Sequence, residues 1–277
     1  MGRREYHPNQ AAIDKKFKKG HGSGFYAKYL PYISVHDLSS KGWSFRATGW
    51  KTDRMYEFLS QLEYFYFLIL DWLDYVLDIL EQFPLPLEET IRIAKELEFR
   101  HPYYYTKENG KRVAQNAIMT VDFKLLVAVN GITKTEARDV KYVSDLTPET
   151  LQKLEISRLC LKSQTISHGL VTDKSINYIL ANNLAWVHEK YFWDKCTLFP
   201  LKDANEIFRL LTKLVFIDNI NPADAGEIAQ NKFHLLEGEG INICHYLIAR
   251  KIWKINMNKP YHPMSPVEFV EVPKNLL

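Results

Sequence analysis

The sequence predicts an α/β (α+β) protein, a mixed sheet flanked by helices followed by a mainly helical C-terminal domain. Three observations predict it. First, Met119, Val121, Phe123, Leu125, Val127 and Val129 put an apolar residue at every odd position, the period of a half-buried strand, and Asn130-Gly131 follows as a hairpin signal. Second, Thr147-Pro148-Glu149 combines an N-cap, a proline at the first helical position and an early acid, and the helix it opens is followed by the strand-like Gly169-Leu170-Val171-Thr172. Strand, helix, strand implies a right-handed crossover with parallel pairing. Third, from Asp173 onward the apolar spacing becomes helical.

Taken in order, residues 1–24 read as a basic arm, with Lys15, Lys16, Lys18 and Lys19 leading into Gly20-His21-Gly22-Ser23-Gly24. These four lysines are candidate DNA-phosphate contacts; a solvated turn before a linker fits the same residues. Between Tyr26 and Trp50, Pro31, Ser39-Ser40 and Gly42 mark loops, with Tyr32-Ile33-Ser34-Val35 as the best short strand. A helix is expected from Tyr56 to about Leu73, with Leu59, Leu62, Phe65, Tyr66, Leu70 and Leu73 at helical spacing. Val76–Phe83 reads as a strand ended by Pro84, Leu87–Leu97 as a short helix, and residues 101–112 as a loop with strand edges. Thr135 to Val143 is the return strand of the hairpin. Beyond Asp173, helices are expected near 175–189, 203–217, 222–233 and 240–249, then an alternating strand at Lys251–Met257. Helices closing on a short strand fit a winged-helix-like module, and a generic helical domain fits as well. The expected division is an arm at 1–24, a catalytic domain at 25–172, a helical domain at 173–260 and an extended tail at 261–277.

Composition narrows the function classes. The 277 residues are 46% hydrophobic, ample for real cores, and carry a net charge of +3. That charge is uneven. Met1–Arg54 holds 11 Lys/Arg against 4 Asp/Glu, a bias that fits a polyanion partner. Cys160, Cys196 and Cys244 are odd in number and far apart, so neither a disulfide framework nor a metal spacing is expected, and the compartment should be reducing. With no apolar leader after Met1, and Tyr64–Leu70 as the longest apolar run, a soluble cytoplasmic protein is expected. Gly-Lys-Ser/Thr does not follow the arm glycines, and neither Gly-x-Ser-x-Gly nor His-Glu-x-x-His occurs.

The chemistry concentrates at the hairpin. If Asn130-Gly131 is a two-residue turn, paired residues sum to 261 and Asp122 faces Asp139. Asp139 and Lys141 share a face. Facing carboxylates repel unless something neutralises them, and a divalent cation would. Glu63, on the apolar stripe of its helix, is a second anomaly, because a carboxylate there is costly unless paired or metal-bound. Paired carboxylates holding Mg²⁺, with a lysine to act on the water and the phosphate, suit phosphodiester hydrolysis. The competing account treats Asp122, Lys124, Asp139 and Lys141 as ordinary charges on an exposed sheet face. Glu155 reads as a solvated helix face more than as a supporting residue.

The chain also resembles the TnsA family, the endonuclease subunits of heteromeric cut-and-paste transposases. The residues that carry it are Phe58–Glu63, Val76–Leu85, His101-Pro102, Thr120–Phe123, Lys153-Leu154-Glu155 and Thr172–Asn177, with Gly20-His21-Gly22 and Tyr29–Tyr32 upstream. The match covers about residues 20 to 190 and thins beyond, where Trp253–Asn256 fits best. The resemblance implies a restriction-endonuclease-like N-terminal domain, a winged-helix-type C-terminal domain, and Mg²⁺-dependent cleavage (Mn²⁺ as a possible substitute) of the 5′ strands at transposon ends. It implies double-stranded DNA, a TnsB-like transposase that cuts and joins the 3′ ends, and a TnsC-like ATPase regulator as partners. Glu63, Asp122 and Lys141 match the family's catalytic acid, acid and lysine. Glu63, Asp122, Asp139 and the backbone carbonyl of Val140 would bind the metal. Where a member of that family carries Gln two before the lysine, this chain has Asp139, which restores an Asp-x-Lys form and adds a negative charge. The alternatives are a stand-alone restriction or repair nuclease of the same fold, or a non-catalytic DNA-binding adaptor.

Overall fold

The computed structural model describes residues 7–37, 45–108, 110–196, 201–273 and 276. The first six residues of the expected arm and the Ser39-Ser40 and Gly42 turn signals lie outside them. The chain divides into two compact units, residues 1–176 and 177–277.

In the first unit, helix α1 (Gln10–Lys18) precedes the antiparallel pair β1 (Phe45–Thr48) and β2 (Met55–Phe58), then α2 (Gln61–Trp72), β3 (Val76–Pro84) and α3 (Leu87–Glu96). A two-stranded ribbon, β4 (Tyr103–Glu108) and β5 (Lys111–Asn116), leads to the long hairpin β6 (Thr120–Val129) and β7 (Ile132–Lys141). Helix α4 (Pro148–Ser163) and β8 (Ser167–Thr172) complete the unit. The central sheet has the order β3-β6-β7-β8. Its first three strands pair antiparallel, and β8 joins β7 in parallel through the α4 crossover. This is the mixed sheet the sequence predicts.

The hairpin turns where expected. Asn130 and Gly131 have φ of 52° and 76°, the left-handed pair that a two-residue turn demands and that Asn-Gly tolerates. The register runs from Val129↔Ile132 to Phe123↔Arg138, so paired numbers sum to 261. Along β6, Val121, Phe123, Leu125 and Val127 are buried. The alternation breaks at Asp122, which is buried too, and at Val129 beside the turn, which is exposed.

Three expectations for the first unit are corrected. The helix expected from Tyr56 starts at Gln61, and Met55–Phe58 is strand β2, with Tyr56 and Phe58 buried and Met55 exposed. Ser60 separates the two: it is extended and its side chain accepts the Glu63 N–H as N-cap. The short strand expected at 32–35 is a turn, closed by the Ser34 N–H on Asp37 Oδ2 at 2.9 Å and the Asp37 N–H on Ser34 O at 3.0 Å. The expected arm is a docked helix from residue 10. Asn9 caps it, Ile13 is buried, and Lys16 Nζ reaches Tyr32 O at 2.7 Å and Asp37 Oδ2 at 2.6 Å.

Two packed regions brace the sheet. One joins α3, α4 and the strands through Leu85, Ile93, Ala94, Met119, Val121 and Ile156. The other is aromatic: Phe58 packs against Phe67 and Phe123 with ring centroids 4.6 and 6.4 Å apart. Alongside it, the Arg54 guanidinium grips buried Glu81 of β3 with two bonds of 2.6 and 2.7 Å while lying 3.8 Å over the Tyr56 ring. That fork holds the β1–β2 segment to the central sheet.

The second unit is helical: α5 (Tyr178–Val187), α6 (Trp193–Cys196), α7 (Leu201–Thr212, continuing as a π turn to Ile217), α8 (Pro222–Phe233) and α9 (Glu239–Ala249). Helices α8 and α9 touch backbone to backbone at Gly226 and Gly240. The strand expected at 251–257 is present only as one antiparallel bridge, Ile255↔Phe269. Buried Trp253 explains the difference: it points into the helices and its indole N–H donates to Thr212 Oγ1 at 2.8 Å, so the segment serves as a packed loop. Among the described residues no helix is long and apolar enough to cross a membrane.

Candidate active site

The β6–β7 register places Asp122 and Asp139 at facing positions one step beyond Phe123↔Arg138. Their burial is deep, with 7% and 3% of their surface exposed. Asp122 Oδ2 accepts the Val140 N–H at 2.7 Å and the Lys141 ammonium at 2.5 Å. Asp139 Oδ1 lies 3.4 Å from the Asp122 N–H and 3.9 Å from Lys141 Nζ. Asp122 Oδ1 has a Gln82 amide at 3.4 Å, a long contact for a buried oxygen. Asp122, Asp139 and Lys141 line a cleft of about 330 Å³ walled by Pro102 and Ala117 on one side and by Lys153 and Ser157 of α4 on another.

Glu63 comes from the first turn of α2 and is 7% exposed. Its oxygens are turned to its own helix start: Oε1 accepts from Ser60 Oγ at 2.9 Å and Oε2 from the Leu59 N–H at 3.1 Å. This is a variant of the capping box in which the acid reaches the Leu59 N–H in place of that of the N-cap, and Ser60-x-x-Glu63 is its sequence signature. Among the described residues no three His, Cys, Asp or Glu side chains are gathered as a metal-holding group. The structure thus brings Asp122, Asp139 and Lys141 together and leaves Glu63 beside them, its carboxylate committed to the cap.

The electrostatics tie all four groups. Burial pushes the Glu63 carboxyl up to about 7, and the charge of Asp122 adds to this, against the opposing Leu59 N–H, Lys141 and Ser60. Burial also raises Asp122; Lys141 opposes and Asp139 reinforces the rise. For Lys141, burial works against the ammonium, but Asp122 and Asp139 outweigh it and hold its pKa above the usual lysine range. Lys141 is therefore a cation at neutral pH. The all-oxygen donor set, with two buried carboxylates on facing strands, suits a hard divalent cation.

Residues 73–173 match the family model described as TnsA-like endonuclease N terminal. That segment is similar to TnsA-like endonucleases. The transposon Tn7 transposition protein TnsA of Escherichia coli is 35% identical over 181 residues, which cover 65% of this chain and 63% of that protein. The chain thus spans less than two thirds of that relative's length.

Within the TnsA-like segment the structure adds one residue to the site. His168 of β8 has a buried side chain, and its Nε2 donates to Asp139 Oδ2 at 2.7 Å. A carboxylate can only accept, so the ring holds one oxygen of Asp139 and leaves Oδ1 facing Asp122. In the parallel register His168 pairs with Ala137, two residues from Asp139 and on the same face. The sequence contains the strand but not the β7–β8 offset, and no short-range signal singles out this histidine. Glu155 makes an exposed pair with Arg158 at 2.7 Å on α4. Of the arm lysines, Lys15, Lys18 and Lys19 are exposed, whereas Lys16 is held by Asp37.

Proposed function

We propose that this protein is the DNA endonuclease of a heteromeric transposase, cutting the 5′ (non-transferred) strands at transposon ends with Mg²⁺. The observation that carries the reading is the buried Asp122, opposed by Asp139 on the facing strand and bonded to Lys141 at 2.5 Å, inside the TnsA-like segment. Asp122 and Asp139 would hold the cation, with the Val140 carbonyl and Glu63 completing the oxygen set and waters the remainder. When bound, the metal supplies charge neutralisation on the phosphate and acidifies a water.

The chain's own residues supply the rest. Lys141 would place a positive charge beside the scissile phosphate and lies where it can act on the attacking water. With a phosphate in the cleft, the Lys141 ammonium could exchange its bond to Asp122 for one to a phosphate oxygen, because both are anionic acceptors. His168 keeps Asp139 from rotating. The open cleft between the ribbon's base and α4 admits the substrate strand. A TnsB-like transposase and a TnsC-like ATPase regulator are the partners this reading requires, and Lys15, Lys18 and Lys19 would contact DNA phosphates.

The test is strand-specific nicking of a transposon-end duplex in the presence of the partner transposase. Asp122→Ala and Lys141→Ala should both abolish 5′-strand nicking while the unfolding midpoint shows a folded chain. Wild-type-like nicking by either variant would falsify the assignment. Cleavage by the chain alone, unaffected by the partner, would favour a stand-alone nuclease.

A further inference from the structure

The ribbon β4–β5 stands at the edge of the candidate cleft. Pro102 and Ala117, the residues that flank its two strands, line that cleft, and the Ala117 N–H donates to Pro102 O at 2.8 Å to close its base. The ladder pairs Tyr103↔Asn116, Tyr105↔Ala114 and Lys107↔Arg112, so these six side chains share one face. The other face is covered by the N-terminal segment. Tyr104 Oη donates to Pro8 O at 2.8 Å, Thr106 Oγ1 to His7 O at 3.2 Å, and the His7 and Tyr104 rings stack with centroids 5.0 Å apart.

The uncovered face is a ladder of rings and cations. The Arg100 guanidinium lies 4.2 Å from the Tyr103 ring centroid, Tyr103 meets Tyr105 at 5.6 Å, and the Arg112 guanidinium lies 4.0 Å from the Tyr105 ring. Arg100, Tyr105, Lys107 and Arg112 are all exposed. Among the described residues no carboxylate pairs with the three cations. In this unit Arg46, Arg54, Arg92, Arg138 and Arg158 each meet a carboxylate. Among the described residues of the unit, Arg100 and Arg112 are the arginines that do not. Arg100 gives one N–H to the Tyr103 hydroxyl, and the ring beneath each guanidinium fixes its plane, leaving further donors for a phosphate.

We propose that the Tyr103–Arg112 face of this ribbon grips the duplex beside the bond cut in the cleft. This rests on the endonuclease reading. Arg100, Lys107 and Arg112 take phosphates of the DNA backbone, and the tyrosines hold the arginines in place. Six residues at about 3.4 Å each give a ribbon about 20 Å long, so its contacts fall within about six base pairs of the cleavage point. The exposed lysines of α1, whose preceding segment is bound to the ribbon's other face, would extend the same basic surface.

The experiment is fluorescence anisotropy of the full chain on a labelled duplex of random sequence, without divalent cation, across about 50 to 200 mM salt. Each lost phosphate contact should reduce the slope of log affinity against log salt by about 0.9. Arg100→Ala/Arg112→Ala should flatten the slope by about 2 and weaken low-salt binding at least about tenfold. Ala114→Lys, exposed beside Tyr105 on the same face, should steepen the slope and tighten binding, an outcome that misfolding cannot imitate. Unchanged slope and affinity in the double variant, or no tightening by Ala114→Lys, would overturn the proposal, and an unchanged slope would point to a protein partner for this face. Failure of the endonuclease reading would show separately, as an Asp122→Ala chain that nicks like wild type.

Discussion

Replacing Glu63 with glutamine tests the electrostatic account most directly, because the group's shift is large and its sign is unambiguous. The Glu63 carboxyl is raised from the ordinary 4.5 to about 7, with burial as the main cause. At about 1.4 kcal/mol per pH unit, that difference corresponds to about 3 kcal/mol. Below pH 4.5 the folded and unfolded states both carry the proton, and the contribution is fully present. Between 4.5 and about 7 the unfolded chain releases the proton while the folded chain keeps it, so stability falls as pH rises through this window. Above about 7 the folded protein holds a buried, partly opposed carboxylate. The amide introduced by Glu63→Gln cannot ionise, and it retains an acceptor for the capping box. Measured in EDTA by calorimetry, the wild type should lose about 3 kcal/mol between pH 4.5 and 8 that Glu63→Gln does not lose, beyond any drift common to both. For a unit of this size that is a difference in Tm of roughly 6–12 °C at pH 8, with the variant the more stable. Mg²⁺ in place of EDTA should remove the difference by stabilising the ionised carboxylate of the wild type. Parallel Tm curves for the two proteins in EDTA across this range would refute the burial argument and place Glu63 in contact with solvent.

Other perturbations have distinct readouts. Arg54→Ala strands buried Glu81 without its cation and should cost about 3–5 kcal/mol in urea unfolding, and Arg54→Lys should rescue little because a single ammonium cannot reproduce the two-bond fork. Gly240→Ala would put a Cβ 2.0 Å from Gly226 O, where only backbone can yield, so the second unit should lose at least about 3 kcal/mol, seen as a lowered urea midpoint for the helical signal. His168→Ala releases Asp139 and should reduce nicking about 10–100-fold with little change in duplex affinity, while His168→Asn recovers part of the rate. Retention of full nicking by His168→Ala would remove the histidine from the site.

Much of the first unit was legible because its signals are local. The period-2 run from Met119 to Val129, the Asn130-Gly131 turn and the Thr147-Pro148 helix start each depend on neighbours a few residues away, and the structure has all three. The Asp122–Asp139 opposition followed from them by arithmetic, since a two-residue turn leaves only one register. The start of α2 was misjudged although its signal, Ser60-x-x-Glu63, is local as well; the apolar spacing of Tyr56 and Leu59 resembled a helix and concealed a two-residue strand alternation at Tyr56 and Phe58.

The sequence by itself determined the hairpin, its register, the parallel crossover and the identity of the acids and lysine that meet there. Only the tertiary structure decided which of those groups touch. The offset between β7 and β8 sets His168 against Asp139, and it depends on how α4 packs, which no short stretch encodes. The orientation of Glu63 depends on competition between its helix cap and the charges across the sheet. The docking of residues 7–18 turned an expected free arm into a covered face of the ribbon and thereby exposed the opposite one. The physical reason is the same in each case. Backbone geometry is fixed within a turn or a strand pair, whereas the partner of a buried charge is fixed by whatever the rest of the chain brings within about 3 Å of it.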